Sequence, residues 1–181
     1  MSEHEWPELP KPIPVCLGAD NGYSGHLVFL DITTGKIHYT EPYPNDAKRL
    51  YNLVHYFKPV YAVIEAVFMA PGFRGVASSN FEIMGRYMQV FEHLSIPYDT
   101  ARATTWRAYL GIKAKGRDAQ KAAAIQYAST HFSPEDFQKL HSTYRKIVDH
   151  HKQTFTEPDN NKCESALIAL YAYNKYKEQQ S

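Results

Sequence analysis

Cysteine is scarce: the 181 residues hold two, Cys16 and Cys163. That argues against a disulfide framework and a cysteine-based zinc site, and it fits a reducing, intracellular compartment. No apolar run reaches the length of a membrane span. The opening stretch, MSEHEWPELPKPIP, lacks the basic start and apolar middle of a secretory signal, and no lipidation motif is visible. Repeats and low-complexity tracts are missing too. Net charge is almost absent, at +1.

The chain does have an ordinary globular composition, 44% hydrophobic and 22% charged, and enough length for one core. The expected organisation is a flexible lead-in over 1–13 and a single domain over 14–181. Its charge is unevenly spread. Residues 101–152 hold ten basic and four acidic side chains, a net of +6, which leaves −5 for the remainder. Such an asymmetry suits a basic face for a polyanion, or simply a solvated helical surface.

The hydrophobic pattern predicts strands at 14–20 (PVCLGAD), 26–32 (HLVFLDI) and 36–40, separated by the turn pairs Asn21-Gly22, Ser24-Gly25 and Thr34-Gly35. Three strands with tight turns form an antiparallel meander. A helix follows over 45–57, with Asn45 as its cap and Leu50, Leu53, Val54 and Phe57 on one face. Residues 61–67 (YAVIEAV) read as a buried strand, joined through that helix and therefore parallel to a neighbour. Further helices are predicted at 79–93, 105–110, 118–131 (capped at its start) and 159–176, and a fifth strand at 97–102. Residues 111–116 (GIKAKG) form a basic loop. The polar, mixed stretch 133–157 reads as helical in parts and is the best candidate for a mobile segment. The fold class is α/β: a mixed five-stranded sheet, three antiparallel strands then parallel ones, flanked by helices.

Four acids stand out. Glu65 lies inside an apolar strand, where an ionised carboxylate is costly unless a basic group or a metal ion accompanies it. Asp20 ends the first strand, where Asp also serves turns. Asp159 precedes the last helix, where Asp also serves as an N-cap. Glu164 lies early in that helix, five residues on, and with Asp159 at the cap both carboxylates can aim at one spot beyond the strand ends. Carboxylate oxygens suit hard divalent cations, Mg²⁺ or Mn²⁺. Two such ions about 4 Å apart can activate water for phosphodiester cleavage.

This order of acids resembles the RNase H-like nucleases, and within them the RuvC-type Holliday junction resolvases of the phage and organellar branch. The resemblance runs over roughly 14–173. It is carried by GADNGYSG, IEAVFMAPGFRGVASSNFEIMGR, TTWRAYLGI and DNNKCESALIALY, in that order. It implies that Asp20, Glu65, Asp159 and Glu164 bind two Mg²⁺ (or Mn²⁺) ions and carry out catalysis. It departs from the bacterial pattern, in which the last two acids are three apart; here Asn161 stands at that place, and Asn160 replaces a frequent histidine. Phe68 matches an aromatic that contacts bases, and Phe73 shares its loop. Arg74, Arg107, Lys113, Lys115, Arg117 and Lys121 would contact phosphates, with Lys121 or Arg117 nearest the scissile one. Trp106 is expected to support its loop from the core.

The implied activity is that of a crossover junction endodeoxyribonuclease. It would act as a homodimer on four-way or branched DNA, away from membranes, and leave symmetric nicks with 5′-phosphate ends. The helix after Glu65, 81–91, is the implied dimer surface or else packs on the sheet. Three other readings stand beside it: a related nuclease acting on other branched DNA or RNA–DNA hybrids, a non-catalytic junction-binding module, and a DNA-free scaffold with a structural acid cluster.

Overall fold

The structure, a computed structural model, describes residues 9–67, 76–148 and 151–181. Its elements run β1 (Val15–Ala19), β2 (His26–Asp31), β3 (Ile37–Pro42), α1 (Ala47–Phe57), β4 (Tyr61–Glu65) and α2 (Val76–His93). They continue with β5 (Tyr98–Ala101), α3 (Ala103–Tyr109), α4 (Arg117–His131), α5 (Pro134–Lys139), β6 (His141–Val148), β7 (His151–Pro158) and α6 (Asn160–Gln179). The main sheet has the order β3-β2-β1-β4-β5. β1–β2 and β2–β3 pair antiparallel, β1–β4 and β4–β5 parallel. This is the expected mixed sheet.

Side-chain alternation divides the core into two layers. Leu17, Ala19, Leu27, Phe29, Ala62 and Ile64 face α1 and α2, meeting Leu53, Phe57, Tyr87 and Phe91. Cys16, Val28, Leu30, Tyr61 and Val63 face α6, together with Trp106 and the α4 alanines Ala124 and Ala128. No described helix is long and apolar enough to cross a membrane.

α6 is the central helix. It packs on β1, β2, β4 and α4, so its span from Ser165 to Ala172 is buried on all sides rather than along one stripe. Close approach depends on Gly18. A Cβ there would lie 2.1 Å from the Ala169 backbone nitrogen and 2.5 Å from the Ser165 carbonyl oxygen.

Three local expectations change. The cap of α1 is Asp46, whose side chain accepts from the Lys48 N–H, one residue later than Asn45. α4 begins at Arg117 after Gly116, with no side-chain cap; Asp118 lies in its first turn. The segment read as mobile, 133–157, instead holds α5 and most of a two-stranded sheet, β6–β7. The lead-in is described from Leu9. Leu9 and Ile13 pack against the α1–α2 layer, and the Lys11 carbonyl lies 3.0 Å from His38 Nε2.

Candidate active site

Two acids meet through strand register. Ala19 of β1 pairs with Ile64 of β4 in parallel, and the next residues are Asp20 and Glu65. By alternation both side chains emerge on the α6 side, at the C-terminal edge of the sheet. Switch points at such edges are where open α/β sheets place ligands. The turn after Asp20 folds back tightly, with Gly25 N–H donating to the Gly22 carbonyl at 2.8 Å. A Cβ on Gly25 would lie 2.4 Å from the Asp20 carbonyl oxygen, which accounts for the last glycine of GADNGYSG.

The helices supply the rest. Trp106, fully buried in α3, donates from Nε1 to Glu65 Oε2 at 2.9 Å. Its neighbour Arg107 forms an ion pair through Nη2 with Glu164 Oε1. Nη1 of Arg107 donates to Gln120 Oε1 at 3.1 Å, and the guanidinium lies 4.8 Å from the Trp106 ring centroid. The other Glu164 oxygen accepts from Asn160 Nδ2 at 3.1 Å. One helix, α3, thus holds a strand-end acid and the α6 acid.

Asp20, Glu65 and Glu164 line a common cleft of about 290 Å³, with Arg107, Arg117 and Lys121 on its wall. A hollow of about 490 Å³ adjoins it at Asn21, Glu65 and Asn80. Another, of about 530 Å³, adjoins it at Arg107 and Gln120 and carries Lys113 and Lys115. Burial, then the charges of Glu65 and Glu164, push the Asp20 carboxyl up to about 7. Glu65 is also raised, by burial first and by Glu164, against the Trp106 hydrogen bond. These carboxylates are short of compensating positive charge.

The donor chemistry fits a hard divalent cation. Besides the acids, Asn21 Oδ1 and Asn160 Oδ1 are buried without a hydrogen-bond partner, and amide oxygens are ordinary ligands for such ions. Among the described residues no group of three or more His, Cys, Asp or Glu is arranged to hold one ion. One Glu164 oxygen is taken by Arg107.

No protein-family profile and no curated sequence matches the chain. Solved structures do. The chain is similar to the Thermus thermophilus RuvC structure, with a TM-score of 0.61 at 12% identity over 91% of this chain and 96% of that one. It is also similar to T. thermophilus RuvC in complex with a Holliday junction substrate, with a TM-score of 0.56 at 12% identity over the same shares. The chain has the RuvC fold.

Within that RuvC-like fold, the fourth acid stands apart. Asp159 is the N-cap of α6, accepting from the N–H groups of Asn161 and Lys162, and its Oδ2 accepts from Ser142 Oγ at 2.6 Å. It is not among the residues lining the acid cleft. Burial pushes its pKa up, but the hydrogen bonds from Ser142 and the helix amides outweigh that and hold it low. Of the phosphate-binding candidates, Arg107, Arg117 and Lys121 reach the cleft. Lys113 and Lys115 stand exposed in the loop beside it. Phe68, Phe73 and Arg74 lie outside the described residues. Cys16 and Cys163 are free and buried, and burial pushes both thiols up to about 12.

Sequence reasoning missed Asn21, Asn80 and Gln120 as site residues, and marked Asn160 and Asn161 only as departures from the resemblance. Asn21, Asn80, Gln120, Asn160 and Asn161 all line the cleft. Asn21 reads as half of an Asn-Gly turn, and only its burial at 6% exposure with both amide atoms unpartnered marks it out.

Proposed function

We propose that the protein is a divalent-metal-dependent, structure-selective DNA endonuclease that nicks four-way junctions. The observation that carries this reading is the convergence of Asp20, Glu65 and Glu164 on one cleft with a basic wall. Mg²⁺ or Mn²⁺ bound there would neutralise the carboxylates and supply an activated water for in-line attack on a phosphodiester. Asp20 and Glu65 would be the strand-borne ligands, Glu164 the helix-borne one, with the Asn21 and Asn160 amide oxygens beside them.

The chain's own residues do the positioning. Trp106 fixes the rotamer of Glu65. Arg107 holds Glu164 in place and sits at the cleft wall, where its guanidinium could also reach a substrate phosphate. Lys121 and Arg117 bind the phosphate oxygens flanking the cut. Asp159 belongs to the acidic set on the strength of the resemblance; through its cap it also fixes where Asn160 and Glu164 begin on α6.

A four-way junction offers two equivalent strands, and a two-fold homodimer presents one cleft to each. α2 suits the dimer surface: it buries Ile83, Tyr87 and Phe91 against the sheet while Phe81 stays 37% exposed. Hydrolysis leaves 5′-phosphate and 3′-hydroxyl ends, so the nicks can be ligated.

The test is a substrate panel with Mg²⁺ or Mn²⁺: a mobile four-way junction, a replication fork, an RNA–DNA hybrid and plain duplex. Paired, ligatable nicks on the junction support the proposal. Preferential cutting of the hybrid would replace it with a ribonuclease reading.

A further inference from the structure

The β6–β7 ribbon has no place in the site described so far. Its strands pair from His141↔Pro158 to Val148↔His151, eight residues each, or about 25 Å of ribbon at about 3.3 Å per residue. No other described element packs extensively on it. Thr143 to Lys146 and Lys152 to Thr154 are exposed.

Its base is bound to the active-site helix. The Asp159 N–H donates to the Leu140 carbonyl at 2.9 Å, Lys162 Nζ donates to the His141 carbonyl at 2.6 Å, and Ser142 meets the Asp159 cap. The residues that follow, Asn160 and Asn161, line the acid cleft. The ribbon is therefore rooted at the wall of the site.

The exposed chemistry points to one partner. Alternation puts Lys146 and Gln153 on one face and Arg145, Thr154 and Lys152 on the other. On the first face Tyr144 stacks with Phe155, centroids 5.7 Å apart; on the second Thr143 and Thr156 are hydrogen-bonded at 3.0 Å. Among the described residues of the ribbon three cations accompany one acid, Glu157, which sits near the base; Asp149 lies outside the described residues. Like charge on both faces disfavours docking against a second copy of the same ribbon. The described faces carry no apolar patch beyond the one aromatic pair, which disfavours a hydrophobic partner. A two-stranded ribbon of this width enters a DNA major groove, about 12 Å across. Hydroxyls and amides interleaved with cations are the groups that bind phosphate and sugar.

We propose that β6–β7 is a DNA-binding arm that lies along a duplex flanking the cleavage point, with Arg145, Lys146 and Lys152 on its phosphates. This rests on the nuclease reading above and names how that site holds a duplex arm. The arm supplies affinity and register, not cutting.

The experiment measures binding in EDTA, across a salt series, to a four-way junction and to plain duplex of the same arm sequence. Wild type is compared with the triple variant Arg145→Gln/Lys146→Gln/Lys152→Gln and with the charge-conserving Arg145→Lys/Lys146→Arg/Lys152→Arg. All three should give the same far-UV dichroism, since the changed residues are exposed. The neutral variant is expected to bind both DNAs about tenfold or more weaker, with the log–log salt slope shallower by about 2.5 to 3. The conservative variant should keep the wild-type slope. An unchanged slope and affinity in the neutral variant would overturn the arm while leaving the nuclease reading intact. A loss confined to the junction would overturn its placement on duplex. A wild type that binds neither DNA would overturn both.

Discussion

The indole N–H of Trp106 donates to the Glu65 carboxylate at 2.9 Å, and this bond joins the core of the α6 layer to the edge of β4. It answers how an acid sits in so apolar a strand: a buried neutral donor, with the Arg107 guanidinium nearby, shares the cost. Trp106→Phe keeps an aromatic ring and deletes the donor, leaving a cavity where the indole's second ring sat. Urea unfolding without divalent cation should show a loss of about 2 kcal/mol for the bond, the scale for a hydrogen bond to a charged group, with the cavity part added. Glu65→Leu, which cannot accept the bond, should make the further loss on Trp106→Phe smaller by the hydrogen-bond part, leaving the cavity part. Additive losses would place the indole outside any role at Glu65.

A second prediction concerns pH. The Asp20 carboxyl is raised from 3.8 to about 7 in the folded state, so the folded protein keeps a proton that the unfolded chain releases. Its contribution to stability is full below about pH 4 and is lost as pH rises to about 7, at up to about 1.4 kcal/mol per pH unit. Glu65 shifts in the same direction. Asp159, held low, acts oppositely, its contribution disappearing only as pH falls below its ordinary value. Cation-free urea midpoints should therefore fall between about pH 4 and 7. Millimolar Mg²⁺ should restore them, by more at pH 7 than at pH 5, because the cation competes with the Asp20 proton. A Mg²⁺ effect independent of pH would contradict a site built on Asp20.

Arg107 and Glu164 are the most enclosed ion pair in the site, with side chains 15% and 14% exposed. Breaking such a pair from one side leaves a charge stranded, at about 3 to 5 kcal/mol. Arg107→Met should show that loss in EDTA. Arg107→Met with Glu164→Leu should recover much of it, because replacing both partners removes the stranded charge. Mg²⁺ should also rescue the single variant, by neutralising Glu164 in the guanidinium's place. Urea midpoints of the three proteins, with and without Mg²⁺, decide this.

Gly18 carries a purely steric prediction. A methyl at this position meets backbone on α6, at 2.1 Å from Ala169 N, and neither β1 nor α6 can move without disturbing the sheet. Gly18→Ala should cost about 3 kcal/mol or more, at the upper end for overpacking. The same change at Gly22, whose nearest heavy atom would be 3.9 Å away, should cost far less. Thermal melts of the two variants make the comparison.

The sheet was legible because its strands bury both faces or alternate cleanly, as in VCLGA and HLVFLD, and because Asn-Gly and Thr-Gly mark the turns. Glu65 was legible through its conflict with YAVI. The β6–β7 ribbon was not. Around Arg145 and Thr154 both faces are solvated, so polar residues follow one another and no period-two signal survives. Asp159 shows a different limit. Asp before a helix fits a cap and a metal ligand equally, and only the hydrogen bonds from Ser142, Asn161 and Lys162 show the cap in place. The amides escaped for a third reason. Asn21 reads as a turn residue and Asn160 as a departure from a histidine, and their unsatisfied oxygens exist only once the chain is folded.

The most direct test of the central claim is nicking of a synthetic mobile four-way junction in Mg²⁺ or Mn²⁺ by wild type and by Glu65→Gln, with junction binding measured on the same samples in EDTA. The expected result is paired symmetric nicks by wild type, loss of nicking in Glu65→Gln, and retained binding. Tight binding with no nicking by either protein would contradict it and leave a junction-binding module in place of an enzyme.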